Sequence, residues 1–206
     1  MAFLRTGIVQ ESPPLLRGRG LWLRAPMMGD YAAWAELRAR SREHLTPWEP
    51  VWQRDELTRS AYRRRVRYYQ REARDDLGYA FLIFRDGDDQ LLGGLSLSNV
   101  RRGVTQAAVL GYWLGLPFVR QGHMTAAVAV VVAYAFEDLR LHRLEAATMP
   151  NNVASIRVLE RNGFRREGIA QRLLKINGTW EDHVLHGLVA EDPMRISPLA
   201  SEVRTL

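Results

Sequence analysis

The residues Arg120-Gln121-Gly122-His123-Met124-Thr125 stand at the head of a thirteen-residue apolar run, Met124 to Phe136. Their types suit the binding of an anion. No Ser, Asp or Asn is placed to cap a helix beginning here, so its first N–H groups are left free. Free N–H groups at the positive end of a helix dipole hold phosphates. Gly122 has no Cβ and lets a phosphate approach the backbone. Arg120 and Gln121 can add side-chain donors, and Thr125 a hydroxyl. The pattern suggests a pyrophosphate cradle, and the alternative is an ordinary loop glycine before a core helix. It is neither a Gly-x-x-x-x-Gly-Lys-Ser/Thr loop nor a Gly-x-Gly-x-x-Gly fingerprint.

A second group of residues can carry proton transfer. Pro150-Asn151-Asn152 turns the chain into a short helix on which Ser155 lies about one turn in. Its alternative role is hydrogen bonding at the helix start. Glu145 is on an expected strand, where burial would raise its pKa. With no Cys in the chain, thiolate nucleophiles, disulfides and Cys-based zinc sites are excluded. His123, His142 and His186 lack the His-x-x-x-His spacing of a metal site, and no metal is expected.

The elements that must position these groups follow from periodicity. The 206 residues, 47% hydrophobic and 25% charged, suit one soluble domain. Residues 1–19 read as an N-terminal arm or edge segment, 20–190 as the domain and 191–206 as a tail. Gly20 to Ala25 is an expected strand, and Asp30 an expected cap for a helix to about Arg42. The prolines of His44 to Pro50 make a rigid loop. Asp55 to Arg74 reads as a helix with Tyr62, Val66, Tyr69 and Ala73 on its buried stripe. Arg63, Arg64, Arg67, Arg71 and Arg74 fall on another face. They form either a solvated surface or a docking surface for RNA phosphates or an acidic partner.

Strands follow at Tyr79 to Phe84, Leu91 to Val100 and Thr105 to Leu116, the first two joined by the turn Asp86-Gly87-Asp88-Asp89. Gly93-Gly94 suggests a bulge or close backbone approach. A helix is expected from Gln121 to Leu139, a strand from His142 to Thr148 and a helix from Val153 to Arg161 closed by Asn162-Gly163. Phe164 to Ile176 and Trp180 to Val189 form a hairpin about Asn177-Gly178-Thr179. The fold class is mixed α/β with an antiparallel half. The apolar run is too short to cross a bilayer, which takes about 20 residues. The N-terminus lacks a secretory pattern, and a cytoplasmic protein is expected.

Two motifs together resemble the GCN5-related N-acetyltransferase family. Gly111 to Thr125, GYWLGLPFVRQGHMT, is similar to the family's strand–cradle–helix segment, although Val119 and Met124 depart from its Arg/Gln-x-x-Gly-x-Gly/Ala pattern. Pro150-Asn-Asn152-Val-Ala-Ser155 with Arg161-Asn-Gly-Phe164 is similar to its second signature. HLTPWEP and NGTWEDHVL resemble more narrowly the RimJ/RimL branch of ribosomal-protein-alanine N-acetyltransferases. The resemblance covers about residues 20–190.

The resemblance implies a GNAT fold with a mostly antiparallel twisted sheet of about seven strands and about four helices. It also implies a parallel pair at 110–116 and 143–148 that splays to admit the pantetheine of acetyl-CoA. The diphosphate would rest on Arg120, Gln121, Gly122, His123, Met124 and Thr125. Asn152 would meet the pantetheine, and backbone N–H groups near Leu114 would polarise the thioester. Ser155 becomes the candidate proton donor to the thiolate, since no Tyr stands between Val153 and Arg161. The carboxylate that many relatives carry before Gly-Tyr-Trp is replaced by Val109-Leu110, which leaves Glu145, Asp182, His183, Glu49 or a water chain as the base. Trp48 and Glu49 would wall the acceptor site, with His183 near the amine.

The implied reaction is acetylation of the N-terminal amine of a ribosomal protein, on Ala or on Ser/Thr. Alternatives are a small amine such as an antibiotic or polyamine, and an RNA- or ribosome-binding module. The net charge of +6, carried by arginines with Lys175 as the only lysine, allows an anionic partner. A monomer or homodimer without membrane contact is expected.

Overall fold

A computed structural model describes residues 14–192. Eight strands form one sheet in the order β1-β2-β3-β4-β5-β6-β8-β7. They are β1 Leu16–Gly18, β2 Leu21–Arg24, β3 Tyr79–Arg85, β4 Leu91–Arg101, β5 Ala107–Leu114, β6 Arg143–Thr148, β7 Arg165–Ile176 and β8 Thr179–Val189. The helices are α1 Tyr31–Arg40, α2 Arg42–Leu45, α3 Arg59–Arg74, α4 His123–Ala133 and α5 Val153–Arg161. The sheet thus gains an edge strand, β1, from the segment read as an arm or edge, and a single helical turn, α2, joins the expected helices.

β3 explains the layering. Its side chains alternate between two cores, Phe81 and Ile83 entering one and Leu82 and Phe84 the other. A strand buried on both faces reads as a continuous apolar run, as TyrAlaPheLeuIlePhe does. α4 covers the larger core with Met124, Ala127, Val128, Val131 and Val132, the spacing of one helix face. Ala126 and Val130 on its flank lie against Gly18 of β1, where an added Cβ would be 2.5 Å from Val130 Cγ2 and 3.9 Å from Ala126 O, which lets the helix be apolar around much of its girth. α1 and α3 cover the opposite face with Trp34, Leu37, Tyr62 and Val66.

Local chemistry moves several boundaries. Asp30 does not cap α1. Its carboxylate accepts from both Arg24 Nη1 and Nη2 at 2.7 and 2.6 Å and from the Met27 N–H at 2.7 Å, and it turns the chain before the helix. α3 starts at Arg59 rather than Asp55 because the Thr58 hydroxyl accepts from the Ala61 N–H at 3.2 Å. α4 starts at His123 and passes at Tyr134–Asp138 into a π-helical turn, where the Leu139 N–H reaches Tyr134 O at 3.0 Å. α5 ends in a Schellman motif, with Phe164 N–H bonded to Leu159 O and Gly163 N–H to Glu160 O, both at 3.1 Å.

The sheet holds one parallel junction. β5 pairs with β6 only at Ala107↔Arg143, Ala108↔Leu144 and Val109↔Glu145. β5 continues to Leu114 against β4, and β6 to Thr148 against β8, so the two strands part beyond Val109 and Glu145.

β4 and β5 approach closely where Gly93-Gly94 faces Trp113-Leu114. A Cβ on Gly93 would lie 2.3 Å from Trp113 O, and one on Gly94 2.6 Å from Trp113 Nε1. Gly93→Ala therefore forces backbone apart and should cost about 1–3 kcal/mol, seen as a Tm lower by several degrees. Gly29→Ala, with nothing within 4 Å of its added methyl, should stay within about 0.5 kcal/mol of the parent. Equal thermal unfolding of the two variants would refute this account of the β4–β5 contact.

Candidate active site

The turn before α4 offers bare donors. Gly122 is the N-cap residue, in the left-handed conformation at φ +83°, and no side chain caps the helix. Among the described residues, no protein acceptor takes the N–H groups of Gly122, His123, Met124 or Thr125. A Cβ on Gly122 would meet nothing within 4 Å, so the space above the turn is open. Arg120, exposed and itself at φ +62°, stands beside it. Met124 contributes backbone only, since its side chain is core. The side-chain donors are fewer than expected. Gln121 Nε2 donates to Pro117 O at 3.0 Å, and its Oε1 lies 3.2 Å from His123 Nε2. Burial and then the charge of Arg85 hold the His123 imidazole below its usual pKa, so it is neutral at pH 7 and adds no positive charge.

Between the parted strands lies a slot of about 200 Å³. Leu110, Gly111 and Tyr112 of β5 line one side, Ala146, Ala147 and Thr148 of β6 the other, and Asn152, Ser155 and His183 its end. Strand alternation aims donors into this gap. The Gly115 N–H donates to Leu92 O at 2.9 Å toward β4, which turns the neighbouring Leu114 N–H to the side that β6 has left. An extended thiol-ended chain entering from the α4 turn would find unpaired backbone donors along its path.

A larger cavity of about 400 Å³ opens on the other side of β5. Trp34 and Arg38 of α1, Glu49 to Trp52 of the loop, Tyr62, Arg65 and Tyr69 of α3, and Gly94 to Ser96 of β4 enclose it. Gly111 and Tyr112 border both spaces. The Tyr112 hydroxyl lies 2.8 Å from Ser155 Oγ and donates to Ser155 O at 3.1 Å. Burial pushes that hydroxyl up to about 12, with the Ser155 hydrogen bond drawing it partly back, so it holds its proton at neutral pH.

The expected catalytic residues separate into two groups. Ser155 is at the slot, its N–H bound by the capping Asn152 Oδ1 at 3.1 Å. His183 is buried there, and its Nδ1 donates to Glu181 O at 2.9 Å, a carbonyl that can only accept. Trp48 lines the slot, whereas Glu49 lines the larger cavity.

Glu145 and Asp182 line neither space. Burial alone would raise the Glu145 carboxyl, but hydrogen bonds from Arg143 and Arg101 hold it below its usual range, the reverse of the expected shift. Asp182 is exposed and accepts from the Arg172 N–H at 2.8 Å in the β7 bulge, on the opposite strand face from His183. Both carboxylates have structural work on the surface of the sheet.

Glu49 is also committed. Arg38 donates to both of its oxygens at 2.7 Å, and Trp52 Nε1 to Oε2 at 2.8 Å. The Arg38 guanidinium sits 4.4 Å from the Trp52 ring centroid, 5.0 Å from Trp113 and 6.0 Å from Trp34. Its Nε–H is buried without a partner among the described residues. The Asn177 N–H donates to Glu49 O at 2.9 Å and ties the loop to the β7–β8 hairpin.

Sequence reasoning missed Tyr112 and Arg38. The signal for Tyr112 was its place two residues before Leu114 on the same strand face, opposite a helix searched only for its own tyrosine. Arg38 carried no signal, because an arginine in the last turn of a helix reads as surface.

The chain matches the acetyltransferase (GNAT) domain family over residues 20–165. It is 39% identical over 178 residues to the probable N-acetyltransferase YjcK of Bacillus subtilis, covering 86% of this chain and 98% of that protein. It is 33% identical to the [ribosomal protein uS5]-alanine N-acetyltransferase of Escherichia coli, over 81% of this chain and 87% of that one. Its fold is similar to that of Mycobacterium smegmatis RimJ in complex with CoA-disulfide, at 34% identity and a TM-score of 0.81, covering 88% of each chain. The unpaired donors around Gly122, the slot between β5 and β6 and these likenesses agree: the chain belongs to the GNAT acetyltransferases and is an N-acetyltransferase that uses acetyl-CoA.

Proposed function

We propose that this enzyme acetylates the N-terminal amine of a ribosomal protein, with Ala as the first residue, in the cytoplasm. The observation that carries the reading is the meeting of the two spaces at Tyr112. Gly111 and Tyr112 line both spaces, so an amine seated in the larger cavity would meet a thioester in the slot there. The likeness to an alanine N-acetyltransferase acting on uS5 supports the acceptor class.

The backbone donors around Gly122 hold the diphosphate of acetyl-CoA, with Arg120 beside them and the Thr125 hydroxyl next in line. Asn152 and the open edge of β5 guide the pantetheine, and the Leu114 N–H polarises the thioester carbonyl, an interaction of the oxyanion-hole kind. The neutral amine then forms the C–N bond as the C–S bond breaks. Ser155 gives a proton to the departing thiolate as the Tyr112 hydroxyl turns its own proton from Ser155 O to Ser155 Oγ, and the amine's proton leaves to His183 or to water. His183, which lines the same slot as Ser155, is the candidate base. Glu49, neutralised by Arg38, serves to fix the acceptor loop.

Small cationic amines fit less well, because both carboxylates in the larger cavity are matched. Glu49 pairs with Arg38, and Glu56 with Arg65. A panel of small amines should turn over far more slowly than peptide.

The acceptor is tested with acetyl-CoA and a peptide beginning Ala and containing an internal Lys, beside the same peptide blocked at its α-amine. Labelling should fall to background on the blocked peptide, and equal labelling of both would remove the reading. Tyr112→Phe and Ser155→Ala should each lower kcat about 10²-fold while KM for acetyl-CoA stays within about threefold. Because Tyr112 is pushed up to about 12, it stays protonated and contributes no falling limb to the pH–rate profile below about pH 10. Full kcat in Tyr112→Phe would remove it from the proton path. Gly122→Val should act the other way, raising KM for acetyl-CoA at least about tenfold, since φ +83° is strained for a β-branched residue.

A further inference from the structure

The positive excess of the chain is concentrated on one element. α3, RSAYRRRVRYYQREAR, holds seven Arg and one Glu, 7 − 1 = +6, which equals the formal charge of all 206 residues. The remaining 190 residues therefore balance to zero. Within α3 the charges are not spread evenly. Arg65 turns inward to Glu56, and Arg64 pairs with Asp55. Arg63, Arg67, Arg71 and Arg74 are exposed, and among the described residues none forms an ion pair with a carboxylate. Their spacing of 4, 4 and 3 residues puts them in one stripe about 16 Å long. Arg63–Arg67 and Arg67–Arg71 are like-charge pairs that weaken a helix. The stripe is thus a cost to the free protein that an anionic partner would remove.

We propose that this face of α3 docks on the phosphates of a structured RNA. Arginine forks match phosphate oxygens in bidentate fashion. Tyr68, 48% exposed and with the Arg71 guanidinium 5.8 Å from its ring, adds an aromatic face on which an unpaired base can stack. The inner face of the same helix supplies Tyr62, Arg65 and Tyr69 to the acceptor cavity. RNA held on the outer face therefore brings a protein embedded in that RNA beside the acceptor entrance. The preference for RNA over an acidic protein rests on the ribosomal acceptor proposed above. RNA binding itself needs neither acceptor nor acetyl-CoA, so the two readings fail separately.

The test is fluorescence anisotropy of the full chain with a labelled RNA hairpin whose stem is about 16 base pairs. Four phosphate contacts predict a slope of about −3.6 for log K against log salt. That corresponds to about 150-fold weaker binding between about 50 and about 200 mM salt. The variant carrying Arg63→Gln, Arg67→Gln, Arg71→Gln and Arg74→Gln should lose most of the affinity and the slope. Its acetylation of a short Ala-peptide should match the parent, which shows that it is folded. Equal RNA binding by parent and variant would overturn the proposal. So would a polyglutamate chain that binds the parent as tightly as the RNA does, in favour of an acidic protein partner.

Discussion

The site depends on a hydrogen-bond ladder that stops. β5 and β6 share three paired positions, Ala107↔Arg143 to Val109↔Glu145, and then each strand keeps only its outer partner. Unpaired strand edges are usually a liability, since backbone N–H and C=O groups without partners carry the cost of lost hydrogen bonds. Here the exposed edge lies inside the sheet, flanked by Asn152 and Ser155 at the start of α5. A ligand with amide groups of its own, such as pantetheine, completes that edge like an added strand. Glu145 acquires its place in this light. Held by Arg101 and Arg143 at the last paired position, it pins the point from which the strands diverge.

The two ends of the site owe their chemistry to different kinds of order. The end proposed for the phosphates is built from backbone, which accommodates Val119 and Met124 where the family pattern has other residues. Gly122 alone must keep its type, because its φ of +83° presents successive N–H groups to one point. The thioester end is built from side chains joined across the fold. Tyr112 and Ser155 are 43 residues apart in sequence and 2.8 Å apart in space. In the proposed reaction the Tyr112 proton, held at rest by Ser155 O, would turn to Ser155 Oγ as that hydroxyl gives up its own.

What the sequence disclosed follows the range of the interaction responsible. The Asn177-Gly178 hairpin, the α5 boundaries and the Asn162-Gly163 stop are set by neighbours within a few residues, and all were legible. The uncapped turn at Gly122 was legible for the same reason, as a missing cap is a local fact. The role of Asp30 was not, because an acidic residue before a helix looks like a cap unless Arg24 is known to lie across the turn. Glu145 and Asp182 misled through register. Each sits on a strand near the right residues, but side chains alternate, and the neighbour rather than the carboxylate faces the slot. Pairing partners across a sheet decide which face is inside, and no local pattern carries that information.

Arg38 shows how the larger cavity can hold a buried charge. A buried guanidinium without partners would be severely destabilising. It is bidentate to Glu49 and surrounded by the rings of Trp34, Trp52 and Trp113, which supply cation–π attraction while excluding water. Trp113 in turn packs against Gly94, where an added methyl would lie 2.6 Å from its indole nitrogen. The paired glycines of β4 thus reach the acceptor loop through one ring and one guanidinium. The consequence for recognition is electrostatic. With Glu49 and Glu56 each matched by arginine, the cavity presents no surplus negative charge to draw in an ammonium. An amine that enters it is favoured in the neutral form, which is the form that can attack a thioester.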